Sequence, residues 1–189
     1  MMGLYSSELD HMLRTGRVTS GSYVGTFPCD FLRALTLSST PAFYIVNVSP
    51  STTKGTHWIG LYFNSDGSEA DFFDTYGSAL SGHRDIRDFV VKSVSDGIVN
   101  ELRGPPLQGD SSNVCGHWCI LFAEQRCKDV SMREFVSVFD DTRPGHFDGD
   151  VKERVLSSYC LASKCKRSKE SCPVEQGCLC KYQVCCKGR

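Results

Sequence analysis

Four residue types stand in a fixed order along this 189-residue chain: His57 followed by Trp58, then Asp74, then Gln108, then Cys115 followed by Gly116. Thiol-based acyl transfer uses these types: a base, a carboxylate to orient it, a side-chain amide to donate to an oxyanion, and a sulfur nucleophile. The order constrains the architecture. Papain-like chains carry Cys first and His later, so a base upstream of the nucleophile requires a different fold.

Local patterns place these residues on elements. Residues 6–14 have apolar Leu9, Met12 and Leu13 at helical spacing behind Ser6 or Ser7 as cap, and 15–22 reads as loop. The run AFYIVNV from Ala42 to Val48 is a strand after Pro41, followed by a polar loop from Ser49 to Gly55. Thr56 to Phe63 forms a second strand. The turn Asn64-Ser65-Asp66-Gly67 leads into a third, Glu69 to Asp74, so the two make a hairpin. Asp85 to Val94 is an amphipathic helix, and Ile98 to Leu102 a further strand stopped by Gly104-Pro105-Pro106. Cys115 to Cys127 is apolar enough to be a buried helix. Ser131 to Glu134 is a capping box opening a helix to Phe139, and Asp148 or Asp150 starts a last helix.

A polar loop meets an apolar helix at Cys115, which puts its sulfur at the positive end of a helix dipole. A helix N-terminus and a nearby imidazolium both lower a thiol's pKa. Gly116 would let a substrate backbone approach closely. Cys119 lies one turn deeper and reads as an inert core thiol, the bland reading that applies to Cys115 as well. His57 starts a strand at a sheet end that can face a cleft, although a lone His there is usually structural. Trp58 either covers a cleft edge or fills the core. His117 is two residues beyond Cys115 and so faces away from it. His11, His83 and His146 fall in polar segments and read as surface residues. Antiparallel pairing of the hairpin brings Asp74 beside His57, and Asp74 serves equally as a turn cap for Thr75-Tyr76-Gly77. Gln108, seven residues before Cys115, could donate to an oxyanion beside the Cys115 amide, or be an ordinary loop residue.

The segments FYIVNVSPSTTKGTHWIGLYF (43–63), ADFFDTYG (70–77) and LQGDSSNVCGHWCILF (107–122) together resemble the adenovirus endopeptidase (adenain) family, in the clan that includes the ubiquitin-like-protein proteases. The likeness covers roughly residues 5–160 and is strongest to adenain-type proteases of Maverick/Polinton transposons and related viruses, which share GTHW, FDTYG and VCGHWC elements and a following Val-Ser-Met segment. The resemblance implies an α+β fold. Its central mixed sheet carries the His on a strand, and the nucleophile opens a buried helix. It also implies His57 as base, Asp74 as orienter, Gln108 as oxyanion donor and Cys115 as nucleophile. The activity implied is a cysteine endopeptidase that matures virion or transposon-encoded proteins. An isopeptidase for ubiquitin-like modifiers and a domesticated, non-catalytic binding domain are the alternatives.

Charge separates two regions. The chain is net −1, but residues 160–189 hold seven Lys/Arg against two Glu, net +5, which leaves −6 on the rest. An acidic body has little to neutralise phosphates with, so nucleic acid is a doubtful partner for residues 1–159 and a plausible one for the basic tail. Seven of the eleven cysteines also lie in 160–189, which suits a reducing-compartment enzyme body with an appended tail. The tail lacks clean paired zinc spacing; one zinc ion on four thiolates, disulfides or a flexible extension are its options. The chemistry itself needs no cofactor. A protein or peptide substrate, an activating peptide as an option, a monomeric state, no membrane span and an intracellular site (nucleus or cytoplasm, with virion packaging as a further option) complete the expectations.

Overall fold

All six residues from Ala42 to Asn47 are buried, and a strand can bury both faces only when a layer covers each side. The fold is built around that requirement. The structure is a computed structural model that describes residues 3–94, 96–139 and 143–159. The Cys-rich tail, with its zinc and disulfide options, lies outside the described residues.

Five strands form one mixed sheet: β1 (Tyr23–Pro28), β2 (Ala42–Asn47), β3 (Trp58–Phe63), β4 (Glu69–Phe73) and β5 (Ile98–Glu101), adjacent in that order. The inner pairs β2–β3 and β3–β4 are antiparallel, and the outer strands β1 and β5 run parallel to β2 and β4. The helices are α1 (Ser6–Thr15), α2 (Arg84–Ser93), α3 (Cys115–Arg126), α4 (Met132–Ser137) and α5 (Asp148–Ser158). This is the expected α+β fold with a mixed sheet and a buried helix opened by Cys115.

Period-two alternation sorts the strand residues between two cores. Phe43, Ile45, Tyr62 and Phe73 face one core with α1, α3, α4 and α5. Tyr44, Val46, Ile59, Leu61, Phe63 and Phe72 face the other with α2 and a 3₁₀ turn at Cys29–Ala34. Aromatic pairs tie the layers together. Phe73 stacks on Phe122 of α3 at 4.4 Å, and Tyr44, Phe63 and Phe89 of α2 meet edge to face. Asp71, also on the α3 side, forms a 2.7 Å ion pair with Arg126, whose guanidinium lies over the Tyr62 ring.

Several boundaries differ from the sequence reading. Strand β1 has no counterpart in the sequence reading: Gly25 and Pro28 interrupt its pattern, and it forms by parallel pairing to β2. Tyr5, rather than Ser6 or Ser7, caps α1, with the Glu8 carboxylate accepting the Tyr5 N–H at 2.9 Å. Helix α4 stops at Ser137, short of Phe139. Two differences matter for the site. Strand β3 begins at Trp58 and β4 ends at Phe73, so His57 and Asp74 stand just outside the ladder, at the same end of the sheet.

Candidate active site

A side chain just off a strand end needs its backbone fixed by other means. For His57 the fixing group is Asn47 at the end of β2. Its side-chain oxygen accepts the N–H groups of Ser49 (2.9 Å) and Thr56 (3.3 Å), which closes the loop between β2 and β3. The Val48 N–H donates to the His57 carbonyl at 3.1 Å. Gly55 is required here, since a Cβ would come within 2.5 Å of the Asn47 amide nitrogen.

Asp74 is buried where β4 ends. Its Oδ1 receives His57 Nε2 at 2.7 Å and the Tyr76 N–H at 2.9 Å, and the Gly77 N–H donates to its carbonyl at 2.9 Å. Asp74 therefore caps the 74–77 turn and also bonds the imidazole. Gly77 makes the turn possible at φ +67°.

Cys115 is the first residue of α3 and is 8% exposed. It lies near enough to the His57 imidazole to favour its protonated form. Asp74 occupies Nε2, so Nδ1 is the nitrogen available to the sulfur. Burial pulls the His57 pKa down, but the Asp74 hydrogen bond and the Cys115 interaction outweigh it and hold the imidazole at about 9. Burial pushes the Asp74 carboxyl up, but the bond to and charge of His57, the Tyr76 N–H and the Ser78 side chain together outweigh it, leaving the carboxyl below the usual carboxylate range. The favoured state at neutral pH is an imidazolium between a carboxylate and a sulfur. The first-turn amides of α3 add partial positive charge on the sulfur's side.

Gln108 is 1% exposed and thoroughly held. The Thr75 hydroxyl donates to its Oε1 at 2.9 Å, while its Nε2 donates to the Ser112 carbonyl at 3.0 Å and to the Tyr76 hydroxyl at 3.2 Å. Its amide nitrogen thus points toward the loop that enters Cys115, and it joins the cluster through Tyr76. The structure brings His57, Asp74 and Cys115 together directly and Gln108 at one remove.

Tyr76 was missed from the sequence. Its ring lies 4.5 Å from the His57 ring at 35°, and its hydroxyl accepts from Gln108. The signal available was its place in a tight turn two residues after Asp74. His83 was read as a surface residue and is instead half-buried. It packs against Phe72, with Nε2 3.9 Å from Asp74 Oδ2. Its polar neighbours in sequence hid the apolar floor that β4 provides. Gly116 also departs from expectation: a Cβ there would meet Leu9 at 3.2 Å, Leu4 at 3.3 Å and Trp58 at 3.5 Å. Its small size serves packing of the N-terminal segment on α3. Trp58 is partly buried in that contact and donates from Nε1 to the Leu4 carbonyl at 3.0 Å.

The remaining histidines and Cys119 sit as read. His11 and His146 are exposed, and His117 is buried on another face of α3. Cys119 is wholly buried, with burial pushing its thiol pKa well up. Among the described residues, no group of three or more His, Cys, Asp or Glu is placed to hold a metal ion, and no helix is long and apolar enough to cross a membrane.

Comparison with known proteins bears on this arrangement. The fold is similar to the ASFV pS273R protease, with a TM-score of 0.57 at 13% identity over 82% of this chain and 66% of that one. A selenomethionine structure of the same protease gives 0.52 at 15% identity, over 82% and 67%. This chain therefore spans about two thirds of that protease's length. ChlaDub1 from Chlamydia trachomatis has a TM-score of 0.43 at 14% identity, covering 62% and 59%. A search of curated sequences finds no match. Residues 23–158 match the model of the adenovirus endoprotease family. That match spans well over half of the chain and every residue of the cluster, so the chain belongs to the adenovirus endoprotease family of cysteine peptidases.

Proposed function

We propose that this chain is a cysteine endopeptidase whose nucleophile is Cys115, with His57 as acid and base, Asp74 as its orienting carboxylate and Gln108 as an oxyanion donor. The observation that carries the reading is the buried His57 imidazole bonded to Asp74 Oδ1 at 2.7 Å, with Cys115 near enough to raise its pKa. The Cys115 thiolate attacks the scissile carbonyl carbon, and the carbonyl π pair moves onto oxygen. The Cys115 backbone N–H and the Gln108 amide donate to that oxyanion, Gln108 exchanging its longer Nε2 bond to the Tyr76 hydroxyl for the new one. As the C–N bond breaks, the His57 imidazolium gives its proton to the leaving amine, and a thioester remains. Neutral His57 then takes a proton from water, the hydroxide equivalent attacks the thioester, and the acid product leaves with Cys115 and His57 restored to their starting charges.

The substrate class we infer is a precursor protein encoded by the same virus or transposable element. Family membership and the protease neighbours support a protein substrate. The test is a proteome-derived peptide library digested with the wild-type chain and with Cys115→Ala, the new ends being read by mass spectrometry. The expected result is a defined cleavage motif that disappears in Cys115→Ala. Cleavage that persists in Cys115→Ala, or cleavage of ubiquitin-like fusions with no cut in the peptide library, would overturn the assignment.

A further inference from the structure

Asp148 opens α5 and has no part in the chemistry above. A side-chain amide can donate to an oxyanion from a fixed place only if its backbone is fixed. The Gln108 backbone lies in an irregular stretch, where no helical or sheet ladder does this. One side is pinned by Thr75, whose carbonyl accepts the N–H groups of Leu107 (2.8 Å) and Gln108 (3.3 Å). The other side is pinned from the start of α5. The Gly145 N–H donates to the Leu107 carbonyl at 2.9 Å. The Gly109 N–H, directly after Gln108, donates to Asp148 Oδ2 at 3.1 Å. The other carboxylate oxygen, Oδ1, receives the Trp118 indole Nε1 at 2.9 Å.

One carboxylate therefore bridges the residue following Gln108 and an indole one turn into α3 from Cys115. The two backbones are also in contact at this point. Gly145 has φ +80°, and a Cβ there would sit 2.9 Å from both N and Cα of Gly109. Acceptance of two N–H donors by one carboxylate fixes the spacing between them more tightly than two independent contacts to neutral groups.

We propose that Asp148, with the Gly145 turn, is a positioning residue that sets the distance between the Gln108 loop and the nucleophile helix. The proposal rests on the reading of Gln108 as an oxyanion donor. Asp148 touches neither the sulfur nor the substrate; it acts through Gly109 and Trp118.

Two reactions separate this role from general damage. Peptide cleavage develops an oxyanion. Alkylation of Cys115 by iodoacetamide displaces iodide at carbon and develops none, so it reports only the sulfur and its base. Asp148→Asn, Gly145→Ala and Gln108→Ala would be compared with wild type in both reactions, using the peptide cleaved fastest from the library. Asp148 is half-buried at the first residue of α5, and Asn matches it in size while removing the charge. The expected result for Asp148→Asn and Gly145→Ala is kcat lowered tenfold or more, with KM and the Cys115 alkylation rate within about twofold of wild type, the same pattern as Gln108→Ala. Full turnover in Asp148→Asn beside a slow Gln108→Ala would overturn the proposal. Turnover and alkylation falling together in Asp148→Asn would also overturn it, since the carboxylate would then be supporting α3 as a whole. Wild-type turnover in Gln108→Ala would instead sink the reading of Gln108 on which the proposal stands.

Discussion

The residue that decides the account is His57. Its pKa of about 9 stands above the ordinary 6.5 because Asp74 and Cys115 outweigh burial. Its contribution to stability is therefore fully present below about pH 6.5 and is lost as the pH rises through about 9. In the proposed mechanism the same titration sets the alkaline edge of activity, because imidazolium must be present to protonate the leaving amine. We expect kcat/KM to fall on the alkaline side near pH 9, and this edge to move to lower pH in Asp74→Asn, where the bond that raises His57 is weakened. An unmoved edge in Asp74→Asn would dissociate Asp74 from the base. Gln108→Ala is expected to lower kcat by about 2.7–4 kcal/mol of transition-state stabilisation, the range for an oxyanion donor, read from steady-state kinetics on the library peptide.

Helix α3 carries Cys115, the proposed nucleophile, at its first residue, and its interior explains why it stays in place. Phe122 stacks on Phe73 and lies close to Phe43 and Phe135. Phe122→Ala should cost about 3–5 kcal/mol, measured by denaturant unfolding. His117 is buried on the same helix, where burial chiefly, and Lys152 beside it, pull its pKa to about 4. Its folded-state pKa is depressed, so stability is full above about 6.5 and is lost as the pH falls toward 4. His117→Leu is expected to lower the midpoint pH of acid unfolding, followed by circular dichroism; a midpoint unchanged or raised would contradict this. At this scale the sequence was most legible where one period ruled: the Ser131–Glu134 capping box stands where read, and the β3–β4 hairpin and the helix from Cys115 differ from their read bounds only at their ends. It was least legible where tertiary contact made the element. Strand β1 exists through pairing with β2, His83 is buried by Phe72, and Tyr76 joins the cluster through a turn whose residues carry no periodic signal.

Across the whole molecule, the site sits at one end of the sheet, with His57 and Asp74 leaving adjacent strands and Cys115 arriving from the α3 layer. Of that convergence, the hairpin register alone brought Asp74 beside His57 in the sequence; Cys115 joined them only through the family resemblance. The fastening of Gln108 by Thr75 and Asp148 was not legible, since it joins irregular segments 33 and 39 residues apart that carry no periodic pattern or motif. All four site residues precede residue 160, and a chain ending at Tyr159 is expected to cleave the library peptide at a rate comparable to the full chain. Loss of turnover with the fold intact would give residues 160–189 a part in catalysis.

The most direct test of the central claim is the rate of Cys115 alkylation by iodoacetamide in the reduced protein near neutral pH, mapped by mass spectrometry in wild type and His57→Ala. The account predicts that Cys115 reacts faster than every other cysteine of the chain and loses that advantage in His57→Ala. Labelling of Cys115 no faster than that of the other cysteines, or equally fast without His57, would contradict it.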